Sequence, residues 1–234
     1  MRVLVWNLFH GRADPPAGRP LLHEFATAIV GWAWDVALLQ EVPPWWPAPL
    51  ACATGAAWRA APTSRNACLP ARRAIAARRP DLLKSNGGGA NAILVRGPLT
   101  ITAHATRRLR VRPERRVAHA VRLRDAAGRS GWVGNVHAQL GGWEDAAAMH
   151  RPRTDAVAAI AALDRWSGDV PALLGGDLNL PAAAVRDLLP DGWSWLGGHG
   201  PDHVVARGLR RVAASSLDAG PLSDHRPLLL TTDP

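Results

Sequence analysis

The chain has 234 residues, with 28 Lys+Arg against 19 Asp+Glu and a formal charge of +9. Hydrophobic residues make up 47% and charged residues 20%, which excludes a disordered, collagen-like or low-complexity chain. Every basic residue except Lys84 is arginine, so the charge hints at an acidic partner but also reflects a coding bias toward Arg, Ala, Gly and Pro.

Val3–Leu8 reads as a buried strand at the start of the chain, too short and too soon interrupted for a signal segment. A Gly/Pro-rich loop runs on to Pro20. Leu22, Phe25 and Ile29 then recur at helical spacing and predict a helix over Leu21–Ala33. Asp35–Gln40 is a short apolar run that delivers Gln40 and Glu41 at its end. Pro43-Pro44-Trp45-Trp46-Pro47 predicts an exposed loop without regular structure. Leu69–Arg79 predicts a helix and Ser85–Gly89 a flexible loop.

Strands are predicted over Ala92–Arg96, Leu99–Arg107, Val117–Arg124 and Gly131–Val136, with a turn at Asp125–Gly128. Arg153–Trp166 predicts a helix with Pro152 in its first turn. Ala172–Gly175, His203–Ala206 and Arg226–Leu230 read as further strands. Neither an internal repeat nor a long linker interrupts this order, so one α/β domain over residues 1–234 is expected. Cys52 and Cys68 lack metal-site spacing and are expected as small buried side chains. No apolar run approaches the roughly 18 residues that span a bilayer, and a cytoplasmic monomer is the expectation.

Chemistry-bearing side chains stand at the ends of the apolar runs: Asn7, Glu41, His137, Asp177, Asn179, Asp224 and His225. One polar residue after a strand is ordinarily the start of a turn. Seven such placements on separate strands point instead to one rim, where strand ends converge and sites are built. Oxygen donors of this kind suit Mg²⁺ or Mn²⁺, and the Cys/His set that zinc requires is missing.

The motifs carrying these residues resemble, in order, those of the endonuclease/exonuclease/phosphatase superfamily, the DNase I-like metal-dependent phosphoesterases. Val3-Leu4-Val5-Trp6-Asn7 is similar to the first strand with its metal-site Asn, and Leu38-Leu39-Gln40-Glu41 to the metal-binding Glu motif. Gly89-Ala90-Asn91-Ala92-Ile93-Leu94 resembles the next core strand and Gly134-Asn135-Val136-His137 the Asn-x-His motif. Gly175-Gly176-Asp177-Leu178-Asn179 is similar to Gly-Asp-x-Asn, Pro201-Asp202-His203 to the penultimate Asp strand, and Ser223-Asp224-His225 to the terminal Ser-Asp-His.

The resemblance implies a four-layered α/β sandwich, two packed mixed sheets flanked by helices. It implies a divalent cation, Mg²⁺ or Mn²⁺, on Glu41 with Asn7 and Asp224. Asp177 would activate water, with Asn179 holding water or a phosphate oxygen. His137 and His225 would contact the phosphate, with Asp202 orienting His225. Arg115 or Arg116 lies where the family has a phosphate-contacting Arg, and Asn135 supports the site through hydrogen bonds more than by substrate contact. His203 is expected to be structural, and His10, His23, His104, His119, His150 and His199 carry no motif.

Residues 59–84 carry a net +6 and residues 101–130 a net +7. A cationic wall made by these segments would suit DNA or RNA, giving a metal-dependent nuclease as the first reading. A phosphatase or phosphodiesterase for a small phosphorylated molecule or lipid headgroup is the alternative, and a non-catalytic binding protein the third. The chain has 11 Trp, no Tyr and two Phe. It therefore lacks the Tyr found near the site in the abasic-site endonuclease and DNase I branches. Trp45, Trp46 and Trp143 fall in predicted loops, where they would either anchor the loop or stack on a nucleobase or lipid tail.

Overall fold

A computed structural model describes residues 1–63, 66–82 and 89–233. The predicted loop at 85–88 lies outside the described residues, as do Arg65 and Lys84. Two six-stranded sheets pack face to face. The first is ordered β11 (Arg210–Ser216), β12 (Leu228–Asp233), β1 (Arg2–Asn7), β2 (Val36–Val42), β4 (Ala90–Val95) and β3 (Ala57–Pro62). The second is ordered β5 (Thr100–Arg110), β6 (Arg116–Arg124), β7 (Ser130–His137), β8 (Ala172–Asp177), β10 (Asp202–Arg207) and β9 (Trp193–His199).

Period-two alternation explains the layers. On β1, Val3 and Val5 face the opposing sheet and join Leu38, Ile93, Leu173 and Val204 in the middle core. Leu4 and Trp6 point the other way, onto α1 (Leu22–Gly31) and α2 (Pro47–Thr54) through Phe25, Ile29 and Leu50. On the far side α4 (Ala146–Ser167) buries Ala156, Ile160 and Leu163 against Val136 and Leu174. The central strands are buried on both faces, so their sequences read as continuous apolar runs. The helix α3 (Leu69–Arg78) buries none of its residues, and α5 (Ala182–Asp187) follows β8.

Several boundaries differ from the sequence reading. Pro43–Pro47 is no exposed loop: Trp46 is 6% exposed, its ring 5.4 Å from that of Phe25, and Pro47 opens α2. A proline is tolerated there because the first helical N–H has no intrahelical partner. Helix α4 begins two turns before Arg153, where the Asp145 carboxylate accepts the Ala148 N–H at 2.8 Å, so Pro152 sits inside the helix. Cys52 and Cys68 are exposed, since α2 turns Cys52 away from the core and Cys68 precedes the unburied α3. No helix among the described residues is long and apolar enough to cross a membrane.

Strand direction locates the site. Among the described strands only two neighbouring pairs are parallel, β1 with β2 and β7 with β8. Their C-terminal ends carry Asn7, Glu41, His137 and Asp177. Antiparallel β10 starts at that same end, with Asp202 opposite Asp177. Gly176 adopts φ 143°, and a Cβ there would overlap the Val136 carbonyl. Glycine at this position lets β8 close on β7 so that Asp177 stands opposite His137.

Candidate active site

A cavity of about 540 Å³ opens over these strand ends. Asn7, Glu41, His137, Asp177, Asn179, Asp224 and His225 all line it, together with Arg116. Asp202 lies just behind, 1% exposed, with Oδ2 2.7 Å from His225 Nδ1.

Asp177 is the hub of the site. Its Oδ2 accepts the Asn7 Nδ2–H at 3.0 Å and stands 3.4 Å from His137 Nε2 and 3.9 Å from His225 Nε2. Its Oδ1 accepts the Asn179 backbone N–H at 3.0 Å, while Asn179 Nδ2 donates to the Ala138 carbonyl at 3.1 Å. Burial raises the Asp177 pKa above the carboxylate range, and the neighbouring Asp202 charge adds to that effect. Desolvation likewise pushes Glu41 up to about 7, against the lowering charges of Arg116 and His225.

The imidazoles divide. Burial drives His137 well below its usual value, reinforced by the Arg116 and His225 charges, so it is neutral. Burial would lower His225 too, but its bond to Asp202 and the charges of Asp202, Asp177 and Asp224 raise it to about 10. A neutral and a cationic imidazole therefore face the same carboxylate.

Backbone strain is concentrated here. Of the six non-glycine residues with positive φ among those described, Phe9, His10, Glu41, Asn179 and Ser223 belong to the site or its supports. Such conformations persist only where surrounding contacts over-determine them. Ser223 shows how: its Oγ donates to the Asn7 carbonyl at 2.7 Å and accepts the His225 N–H at 3.1 Å, locking the terminal motif onto β1.

Hard oxygen donors from Glu41, Asn7 and Asp224 border one cavity with Asp177, and burial raises the proton affinity of Glu41 and Asp177. That donor set fits a divalent oxygen-seeking cation, which would relieve the buried negative charge. The tightest trio of potential ligands among the described residues is Asp177, Asp202 and His225. Within it Asp202 Oδ2 and His225 Nδ1 are already paired with each other at 2.7 Å.

Of the two arginines expected at the phosphate, Arg116 lines the cavity, held by Glu114 at 2.7 Å. Arg115 turns away: its Nε donates to the Thr63 carbonyl at 3.1 Å on the edge of the first sheet. Asn135 does not line the cavity. It is fully buried between the sheets, where Nδ2 donates to the Leu39 and Ala92 carbonyls at 2.9 Å and Oδ1 accepts from Gln40 Nε2 at 2.8 Å. His203 is structural, with Nε2 2.8 Å from the Leu180 carbonyl and Nδ1 accepting from Trp195. Trp143 Nε1 donates to the Asn179 carbonyl at 3.2 Å and thereby braces that turn, while Trp45 lines a separate apolar cavity.

Two basic cavity residues carried no sequence signal. His10 places Nε2 3.1 Å from Glu41 Oε2, and Arg12 lines the mouth with its guanidinium 4.4 Å from the Phe9 ring centre and Nε 3.6 Å from Asp81. They lie three and five residues after Asn7, and the left-handed turn at Phe9-His10-Gly11 aims them inward.

The arginines of residues 101–130 do not form one wall. Arg110 pairs with the buried Asp155, and Arg129 with Asp125. Arg122 and Arg124 pair with Trp132 and Ser130 toward the far end of β6. Arg124 thus lies about 26 Å along the strand from Arg116 at 3.3 Å per residue.

The sequence profile described as Endonuclease/Exonuclease/phosphatase family matches residues 4–225. No match is found among curated proteins. Among solved structures, an endonuclease/exonuclease/phosphatase from Beutenbergia cavernae DSM 12333 superposes with a TM-score of 0.74 at 19% identity, covering 99% of this chain and 71% of that one. D. rerio TDP2 complexed with single strand DNA product gives 0.72 at 14%, covering 100% and 99%. The mannosyl-6-phosphatase Bt3783 of Bacteroides thetaiotaomicron VPI-5482 gives 0.71 at 14%, again covering 100% and 99%. At these identities the likeness is one of fold.

Proposed function

The chain belongs to the endonuclease/exonuclease/phosphatase family, and from that premise we propose that it is a divalent-metal-dependent phosphoester hydrolase working at the Asp177 cavity. The observation that carries the reading is the placement of one buried carboxylate, Asp177, between a neutral and a cationic imidazole. A dication, Mg²⁺ or Mn²⁺, on Glu41 with Asn7 and Asp224 supplies charge neutralisation at the phosphate.

This chain's own residues perform the proton transfers. Asp177 takes the proton from the attacking water, and its raised pKa matches a base working near neutrality. Asn7 and the Asn179 N–H hold the two Asp177 oxygens in place, so the base does not have to be oriented at each turnover. His225 donates from Nε2 to a phosphoryl oxygen and stabilises the charge that grows there, while Asp202 fixes its Nδ1. Neutral His137 adds a second contact, and Arg116 and Arg12 flank the entry.

The choice of substrate turns on charge placement. A nuclease reading rests on the two arginine-rich segments, and of their described basic residues only Arg116 lines the cavity. Hydrolysis of a compact phosphate ester, which needs only Arg12 and Arg116 at the mouth, is the reading favoured by that placement. The same account takes one domain over residues 1–234, acting as a cytoplasmic monomer.

The test is hydrolysis with Mg²⁺ or Mn²⁺ of a phosphomonoester reporter, a phosphodiester reporter, plasmid DNA and RNA across a salt series. A compact ester predicts turnover of a small reporter with a log–log salt slope no steeper than about −2, since roughly one counterion is released per phosphate contact. Preferential cleavage of DNA or RNA with a steep salt dependence would restore the nuclease reading. No turnover of any of the four would refute the hydrolase.

A further inference from the structure

Phe9, His10 and Gly11 form three consecutive left-handed residues, with φ of 48°, 55° and 75°. Histidine and phenylalanine rarely adopt this conformation, so the turn is held by its surroundings. The Phe9 N–H donates to Asn7 Oδ1 at 3.0 Å, and the Arg12 carbonyl accepts the Ser223 N–H at 3.0 Å. A Cβ on Gly11 would overlap the Trp46 indole, which packs against the turn from the core side. The outcome is a fixed imidazole whose Nε2 stands 3.1 Å from Glu41 Oε2. The other carboxylate oxygen, Oε1, faces His137 Nδ1 at 3.8 Å. Glu41 is itself in a left-handed conformation, φ 50°.

The two oxygens of Glu41 are therefore unequal. His10 Nε2 stands against Oε2 at 3.1 Å, which crowds that oxygen with an imidazole nitrogen and leaves Oε1 as the one open to a cation. Mg²⁺ demands near-ideal octahedral geometry and takes carboxylates through single oxygens. Ca²⁺ accepts six to eight oxygens and readily uses a carboxylate through both. We infer that His10 is a positioning residue that restricts Glu41 to one-oxygen ligation and so sets a preference for Mg²⁺ over Ca²⁺. The inference rests on the reading of Glu41 as the metal anchor.

Calorimetric titration of the full chain with Mg²⁺ and with Ca²⁺ tests it without any turnover. His10→Gly removes the imidazole and leaves a residue at ease with positive φ, so folding is not put at risk by backbone strain. His10→Gln returns an amide N–H with similar reach. The expected result is about a tenfold loss of Mg²⁺ affinity in His10→Gly, as when a hydrogen-bond partner of a ligand is removed. Ca²⁺ affinity should hold or rise, and His10→Gln should restore most of the Mg²⁺:Ca²⁺ ratio. An unchanged ratio in His10→Gly overturns the inference. So does an equal loss of both ions without rescue by His10→Gln, the behaviour of an imidazole that ligates the ion directly. Wild type that binds neither ion, or Glu41→Gln that binds both as tightly as wild type, overturns the metal reading and this inference together.

Discussion

His225 owes its protonated state to its neighbours: Asp202 at 2.7 Å, with Asp177 and Asp224 each at 3.9 Å. Its folded pKa, raised to about 10, lies above the unfolded value, so its stabilising contribution is complete below about pH 6.5 and is lost as pH rises toward 10. Asp202→Asn removes the largest raising influence. The variant should show the basic limb of its pH–rate profile moved down toward neutrality, with turnover at pH 8 falling roughly tenfold as the imidazolium is titrated away. An unmoved limb would mean that His225 is not the titrating donor. At this scale the sequence was informative wherever a motif framed a residue, as with Asp177 and His225. It was silent on His10 and Arg12, because their aim depends on the left-handed run Phe9-His10-Gly11, a conformation that Phe and His rarely adopt. It also left Arg115 and Arg116 undivided; they part where the chain enters β6, Arg116 lining the cavity and Arg115 reaching the edge of the first sheet.

The strands that build the site were legible because both of their faces are buried and their apolar runs are uninterrupted. The edge strands β3, β9 and β11 were not, for physical reasons. Every residue of β11 is exposed, so no alternation marks it. β3 is mostly exposed and ends in Pro62, and β9 carries Gly197-Gly198 near its end. Pro43–Pro47 misled in the opposite direction, since proline density marks a break in hydrogen bonding and says nothing about burial. Between the sheets, His119 on β6 was given no role, yet it is fully buried beside His104, with Nδ1 3.3 Å from His104 Nε2. Desolvation depresses it to about 3, with the His104 charge adding to the effect. The unfolded chain therefore takes up this proton first, and stability present above about pH 6.5 drains away as pH falls toward 3. Denaturant unfolding of the wild type should lose up to about 1.4 kcal/mol per pH unit from this group across that window. His119→Gln should flatten the slope by that amount; equal slopes in the two proteins would show that His119 is not buried as a neutral ring.

Over the whole molecule, the pairing of two parallel strand couples, β1/β2 and β7/β8, brings one end of each sheet to a common rim. Four of the proposed site residues follow from that topology alone, and antiparallel β10 and the chain's last motif add the Asp202–His225 pair. Net charge says less about the site than its +9 promised, because the arginines are dispersed over β5, β6 and the exposed α3 while the cavity keeps two. The central claim is that Asp177, poised between His137 and His225, is the base for metal-dependent attack of water on a phosphate ester. Its most direct test is the turnover of the best-cleaved reporter by wild type and Asp177→Asn at saturating Mg²⁺, with folding verified by thermal melts. The account predicts a loss of about 10²-fold or more in kcat with little change in KM, the size expected for removal of a general base. Turnover by Asp177→Asn within a few-fold of wild type would contradict it.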